Sequence, residues 1–255
     1  MANHEIKTLP VAVRVFPESP TAERHGGPKN VWIDHEGILI IHTEARRDAP
    51  QKLRLGIYRF IVGGRCIEEG FFYGHLSKAE LRRLKNYVAR YPGDTVKGGV
   101  KELRLLTRRE FLDVFWKLAY KARCLVVGFD LPFQLSRLAF HSAPARDFFA
   151  GGFSLGLWSY FDDKGRERMD RFRSRVRIKY IDRNRSLIGF SARNSPDEQD
   201  LIPEGSPSGD PNPGYKFPGH FVDLRTLAFA LSDEVQSLEA ACEAFGVKYG
   251  TKRTS

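Results

Sequence analysis

The chain has 255 residues, 42% hydrophobic and 28% charged, which is enough apolar material for a sizeable core and marks a globular protein, not a fibrous or disordered one. No apolar run approaches the roughly 20 residues of a membrane-spanning helix, and three scattered cysteines (Cys66, Cys124, Cys242) argue against a disulfide framework or a zinc knuckle. Lys and Arg number 41 against 31 Asp and Glu, a net charge of +10 that favours a polyanionic partner, nucleic acid first.

Met1-Ala-Asn-His-Glu5 lacks the basic start and apolar segment of a secretory signal, so the expectation is a cytoplasmic protein with no membrane association. Residues 1–30 read as an N-terminal extension, mostly loop, with a short edge strand over residues 11–16. Ile38-Leu-Ile-Ile-His-Thr-Glu44 has strand length and enough apolar content for a central strand buried on both faces. Residues 56–62 and 66–73 flank Gly63-Gly64, a hairpin signal. Ser77-Lys-Ala-Glu80 and Thr107-Arg-Arg-Glu110 are capping boxes that open two helices. Pro92-Gly93 ends the first, and Phe111, Leu112, Phe115, Leu118 and Ala119 give the second an apolar face.

Cys124-Leu-Val-Val-Gly-Phe129 reads as a buried strand, followed by a helix from Pro132 to about Phe140. Residues 150–192 alternate without helical period and predict an antiparallel insertion, while 193–219 read as a long surface loop. A short strand at 220–223 and two helices, 224–231 and 237–245, close the pattern, with Gly246 as C-cap. The whole is an α/β domain over residues 31–250: an antiparallel meander, then crossover strands, flanked by helices and carrying a β insertion at about 150–219. Residues 251–255 form a tail.

The order of elements, with an acidic residue ending the first buried strand, resembles the ribonuclease H-like fold, and more narrowly the DnaQ-like (DEDD) 3′–5′ exonucleases. The residues that carry it are Ile41-His-Thr-Glu-Ala45, Gly128-Phe-Asp-Leu-Pro-Phe-Gln-Leu-Ser-Arg-Leu138, and Phe221-Val-Asp-Leu-Arg-Thr-Leu-Ala-Phe-Ala-Leu231 with Ser237-Leu-Glu-Ala-Ala-Cys-Glu-Ala-Phe-Gly246. The resemblance implies two divalent ions, magnesium or manganese, clamped by four carboxylates to hydrolyse a phosphodiester end. The chain departs from that set. His42 stands for the first acid and Gln134 for the third; the fourth belongs on a helix beyond about residue 255, and Glu44 alone matches. The expectation is therefore a nucleic-acid-binding domain of exonuclease fold whose catalysis has decayed. The alternatives are a residual exonuclease using Glu44, Asp130 and His42, with Glu44 and Asp130 as metal ligands and a partner chain completing the site, and a purely structural or protein-interaction module.

Two carboxylates qualify this picture. Asp130 either caps the helix containing Pro132, the preferred reading, or lends an acid to a shifted site. Asp34-His-Glu36 spells the family's Asp-x-Glu outright, but its place before Gly37 favours a turn. Asp223 is expected to cap the helix that follows it.

Arg171, Arg173, Arg175, Arg177 and Lys179 occupy every second position, so a strand there projects five cations from one face about 6.6 Å apart. Such a comb suits the backbone of a single strand or a 3′ end, with Phe153, Trp158, Tyr160 and Phe161 upstream either to stack bases or, equally, to pack in the core. Phe172, Val176, Ile178 and Tyr180 would face a core. The competing reading is an edge strand guarded by charge against aggregation.

Overall fold

A computed structural model describes residues 36–46, 51–91, 93, 102–170, 172–191 and 217–247. The candidate edge strand at 11–16, Asp34, Arg171 and the loop at 193–216 lie outside the described residues. In chain order come β1 (Gly37–Ala45), β2 (Leu53–Val62), β3 (Arg65–Tyr73), α1 (Lys78–Arg90), β4 (Leu103–Thr107), α2 (Arg108–Phe115), β5 (Leu125–Gly128) and α3 (Leu131–Leu138). The insertion follows as β6 (His141–Pro144), β7 (Phe153–Gly156), β8 (Ser159–Phe161), β9 (Glu167–Met169), β10 (Val176–Tyr180) and β11 (Ser186–Phe190). The chain then returns as β12 (His220–Asp223), α4 (Leu224–Ser232) and α5 (Leu238–Ala244).

One mixed sheet has the order β12-β5-β1-β2-β3-β4. Within it β1, β2 and β3 form the antiparallel meander, whereas β5 pairs parallel with β1, β12 with β5, and β4 with β3. The β2–β3 connection is a two-residue turn in which Gly63 and Gly64 both take left-handed φ, +54° and +74°, which matches the twist of the flanking strands. The edge strand β4 has no counterpart in the sequence reading, since its five residues are too few to separate alternation from chance. The insertion forms a second, antiparallel sheet, β11-β10-β7-β6, with β8–β9 as a separate hairpin.

The first strand differs from expectation. Leu39, Ile41 and Thr43 are 0–2% exposed, but Ile40 on the other face is 37% exposed. The core is built on one side of the sheet only, where α2 and α3 pack. On the opposite side α1 sits over β3, with Tyr87 edge-on to Phe71 at 5.7 Å, and contributes no buried residue.

Helix α2 joins the two sheets. Thr107 and Glu110 complete its capping box, and the helix continues as a π-helical segment, Trp116–Lys121. Its aromatic row faces both ways. Phe111 stacks on Phe72 of β3 at 3.8 Å, while Trp116 stacks on Tyr120 at 4.1 Å and meets Trp158 edge-on at 4.8 Å. Tyr120 continues the packing into Phe190 of β11 and Phe217. One buried cluster therefore runs through both sheets, from Leu39 to Val176, Ile178 and Phe190. The buried indole N–H of Trp158 is satisfied by donating to the Leu112 carbonyl at 3.0 Å.

Asp223 ends β12 and serves two helices. One carboxylate oxygen accepts from the Leu131 N–H at 3.0 Å and so caps α3; the other accepts from the Thr226 N–H at 3.3 Å and hydroxyl at 2.7 Å and caps α4. The expected cap on the following helix is present, and the cap on α3 comes from the same residue, not from Asp130. Because two N–H donors in a site only 9% exposed lose their acceptors together, Asp223→Ala should destabilise the domain by about 2–4 kcal/mol, read as a lowered midpoint in urea denaturation.

Candidate functional site at the end of β1

Parallel pairing of β5 with β1 extends to Ile40 opposite Val127. Gly128 then lets the chain turn tightly into α3: a Cβ there would lie 2.7 Å from Leu131 and 3.0 Å from the Ile41 carbonyl. The turn places Asp130 in the left-handed region at φ 59°, a conformation Asp tolerates. One helical turn later, Gln134 points back at β1.

The Gln134 side chain is 3% exposed, and its amide is fully used. Its Oε1 accepts from the backbone N–H of Thr43 and from the Thr43 hydroxyl at 2.8 Å. Its Nε2 donates to the Phe129 carbonyl at 3.0 Å and lies 3.4 Å from His42 Nδ1. The amide thus takes over the Thr43 N–H and also satisfies the β5–α3 turn. This needs a group that both accepts and donates, which an amide is and a carboxylate is not.

The other candidate ligands do not gather around it. Glu44 lines a cavity of about 680 Å³ with Arg46, Arg54, His75, Ser77 and Glu80. There Arg54 pairs with Glu80 at 3.0 Å. Hydrogen bonds from the Ser77 backbone and hydroxyl, and then from Arg54, pull the Glu80 carboxyl down to about 2. Asp130 lines a different cavity, of about 500 Å³, and its carboxylate pairs with Arg225 of α4 at 3.1 Å. The expectation that Asp130 caps α3 is therefore corrected. Its carboxylate makes no cap hydrogen bond, because the left-handed turn aims it at α4. Among the described residues no three or more His, Cys, Asp or Glu side chains are grouped to hold a metal ion. The set His42, Glu44, Asp130 and Gln134 does not fit a pair of divalent ions, which need several converging anionic oxygens.

The basic comb is also rearranged. The strand begins only at Val176, so Arg173 and Arg175 precede it, and β10 is an interior strand between β11 and β7. Arg173 pairs with Asp113 at 2.7 Å and Asp170 at 3.3 Å and lies over Trp116. Arg175 donates to the Ser154 hydroxyl at 2.7 Å and lies against Met169 and His141. Arg177 donates to the Phe190 carbonyl at 3.0 Å with its guanidinium 4.5 Å from the Phe149 ring centre, and Lys179 donates to the Phe148 carbonyl at 3.2 Å. These cations mainly tie the insertion together. Of the residues expected to face a core, Val176 and Ile178 are buried, but Phe172 and Tyr180 are exposed. Each lies where the local pairing ends: Phe172 in the bend before β10, Tyr180 at its last residue.

A third cavity, of about 880 Å³, escaped the sequence reading. It opens between the start of β2, the first turn of α2, the C-terminal half of α3 and the β8–β9 hairpin. Lys52, Arg108, Arg109, Arg137 and Arg173 line it with Phe140, Tyr160 and Phe161. Arg173, Tyr160 and Phe161 were singled out one by one, as a cation of the comb and as stacking aromatics, but the lining is scattered over more than a hundred positions and no local motif signals the cleft itself.

Replacing Gln134 by Glu would set a carboxylate oxygen against the Phe129 carbonyl and leave that carbonyl without a donor. Gln134→Glu should lower stability at neutral pH by about 2–3 kcal/mol. The buried carboxyl, its pKa raised in the folded state, regains a donor proton in acid. The deficit against wild type should therefore narrow as pH falls towards about 4, which paired urea titrations at several pH values would measure. No protein-family model matches the chain, and no curated protein matches it.

Proposed function

We propose that this chain is a ribonuclease H-like domain of the DnaQ exonuclease type that has lost its divalent-metal chemistry and kept nucleic-acid binding. The assignment of the fold is supported by the strand order, in which an antiparallel β1–β2–β3 meander is extended on the far side of β1 by parallel β5 and β12.

The observation that carries the functional reading is the Gln134 amide. It stands where the family places a metal-binding acid, and it presents N–H protons to Phe129 and His42 and no lone pair to a cation. Around it Glu44 and Asp130 line separate cavities, and Asp130 already has a cationic partner in Arg225. A residual exonuclease using Glu44, Asp130 and His42 would need these groups to converge. The net charge of +10 and the basic, aromatic third cavity favour a polyanion over a purely structural role.

The full chain should bind a fluorescein-labelled single-stranded oligonucleotide, and an about fourfold rise in salt should weaken binding by about twentyfold, the slope for about three neutralised phosphates. A 3′-labelled oligonucleotide should keep its label with magnesium or manganese. Metal-dependent release of label that Glu44→Ala abolishes would establish the exonuclease reading instead. Absence of any salt-sensitive binding would leave the structural module.

A further inference from the structure

The cations of the third cavity fall into two classes. Arg108 is engaged by Glu167 at 3.2 Å, and Arg173 by Asp113 and Asp170. Lys52, Arg109 and Arg137 have no carboxylate within ion-pair distance among the described residues. Among the described residues Arg137 donates to neutral acceptors, the backbone and side-chain oxygens of Gln51 and the Ser136 hydroxyl, with its guanidinium 4.8 Å from the Phe133 ring centre. A cleft with three cations that make no ion pair among the described residues suits an anionic ligand, and phosphate oxygens match arginine well.

The same cleft carries an aromatic platform. Phe161 is 57% exposed, and the Arg109 guanidinium lies 5.4 Å from its ring centre. Its hairpin is braced by local bonds. Asp162 accepts from the backbone N–H groups of Lys164 and Arg166 and pairs with the Arg166 and Arg168 side chains. Glu167 accepts from the Ser159 hydroxyl and from Arg108, which fastens the hairpin to α2. A large aromatic carried on a hairpin braced in this way over a basic cleft is placed to stack on a base. The cleft also adjoins the Glu44 cavity, because His75 lines both.

We propose that this cleft, and not the β10 comb, is where single-stranded nucleic acid binds, with an unpaired base stacked on Phe161 beside Arg109 and the adjoining phosphates on Lys52 and Arg137. The proposal rests on the nucleic-acid reading above and assigns its location. Because recognition runs through an unstacked base and a flexible backbone, single strands bind better than duplexes, and DNA and RNA strands bind alike.

The test measures binding of single-stranded oligo-dT and oligo-U, and of a duplex of equal length, to the full chain by fluorescence anisotropy. Phe161→Leu keeps apolar bulk but removes the ring, and should weaken single-strand binding about tenfold; Phe161→Trp should restore it. Arg109→Ala should weaken it to a similar degree, and Lys52→Ala should lower the salt slope by about one. Phe161 and Lys52 lie outside the buried cluster, so these changes spare the core. Full affinity in both Phe161→Leu and Arg109→Ala, with loss in Arg177→Ala or Lys179→Ala, would overturn this location and leave the nucleic-acid reading standing. Equal competition by polyglutamate would also overturn it, since base stacking would then play no part. An unaltered chain that binds no oligonucleotide would sink the nucleic-acid reading itself.

Discussion

The Gln134 amide connects β1 to the β5–α3 turn. It receives the Thr43 N–H and hydroxyl on one side and donates to the Phe129 carbonyl on the other. A neutral amide meets both demands at once in a site closed to water. A carboxylate in the same place would need cations or extra donors to offset the Phe129 carbonyl. Asp130 faces Arg225 on α4.

Two further devices hold this corner in place. Asp223 caps α3 and α4 from the end of β12, so one buried carboxylate sets where both helices begin. The aromatic row of α2 and its π-helical extension links the main sheet to the insertion through stacked and edge-on contacts. The insertion is therefore part of the same packed core, and the β8–β9 hairpin it carries becomes one wall of the basic cleft.

Arginine serves two purposes in this chain. Arg173, Arg175 and Arg177 lie against aromatic rings, carbonyls and carboxylates inside the insertion, where the planar guanidinium satisfies several acceptors at once. Lys52, Arg109 and Arg137 instead face the cleft without anionic partners among the described residues. These six cations thus divide into three that staple the fold and three that face the cleft without an ion pair among the described residues.

Local chemistry made much of the fold legible in the sequence. The capping boxes at Ser77 and Thr107, the Gly63-Gly64 turn and the Asp223 cap depend on neighbours a few residues apart and are present as read, and the order of the other elements was legible except for the short strands β4 and β6. That positions 42 and 134 carry a histidine and an amide in place of carboxylates was legible for the same reason, since residue identity alone shows it. Tertiary structure decided where side chains point. Alternation of Arg173, Arg175, Arg177 and Lys179 could not tell a free comb from a stapled one, because their partners, Asp113, Ser154, Phe190 and Phe148, come from other elements. Asp130 could not be separated from Asp223 as the cap of α3, because the choice turns on a left-handed backbone angle and a strand 92 residues away. The basic cleft likewise exists only where four distant segments converge, and no sequence period encodes such a convergence.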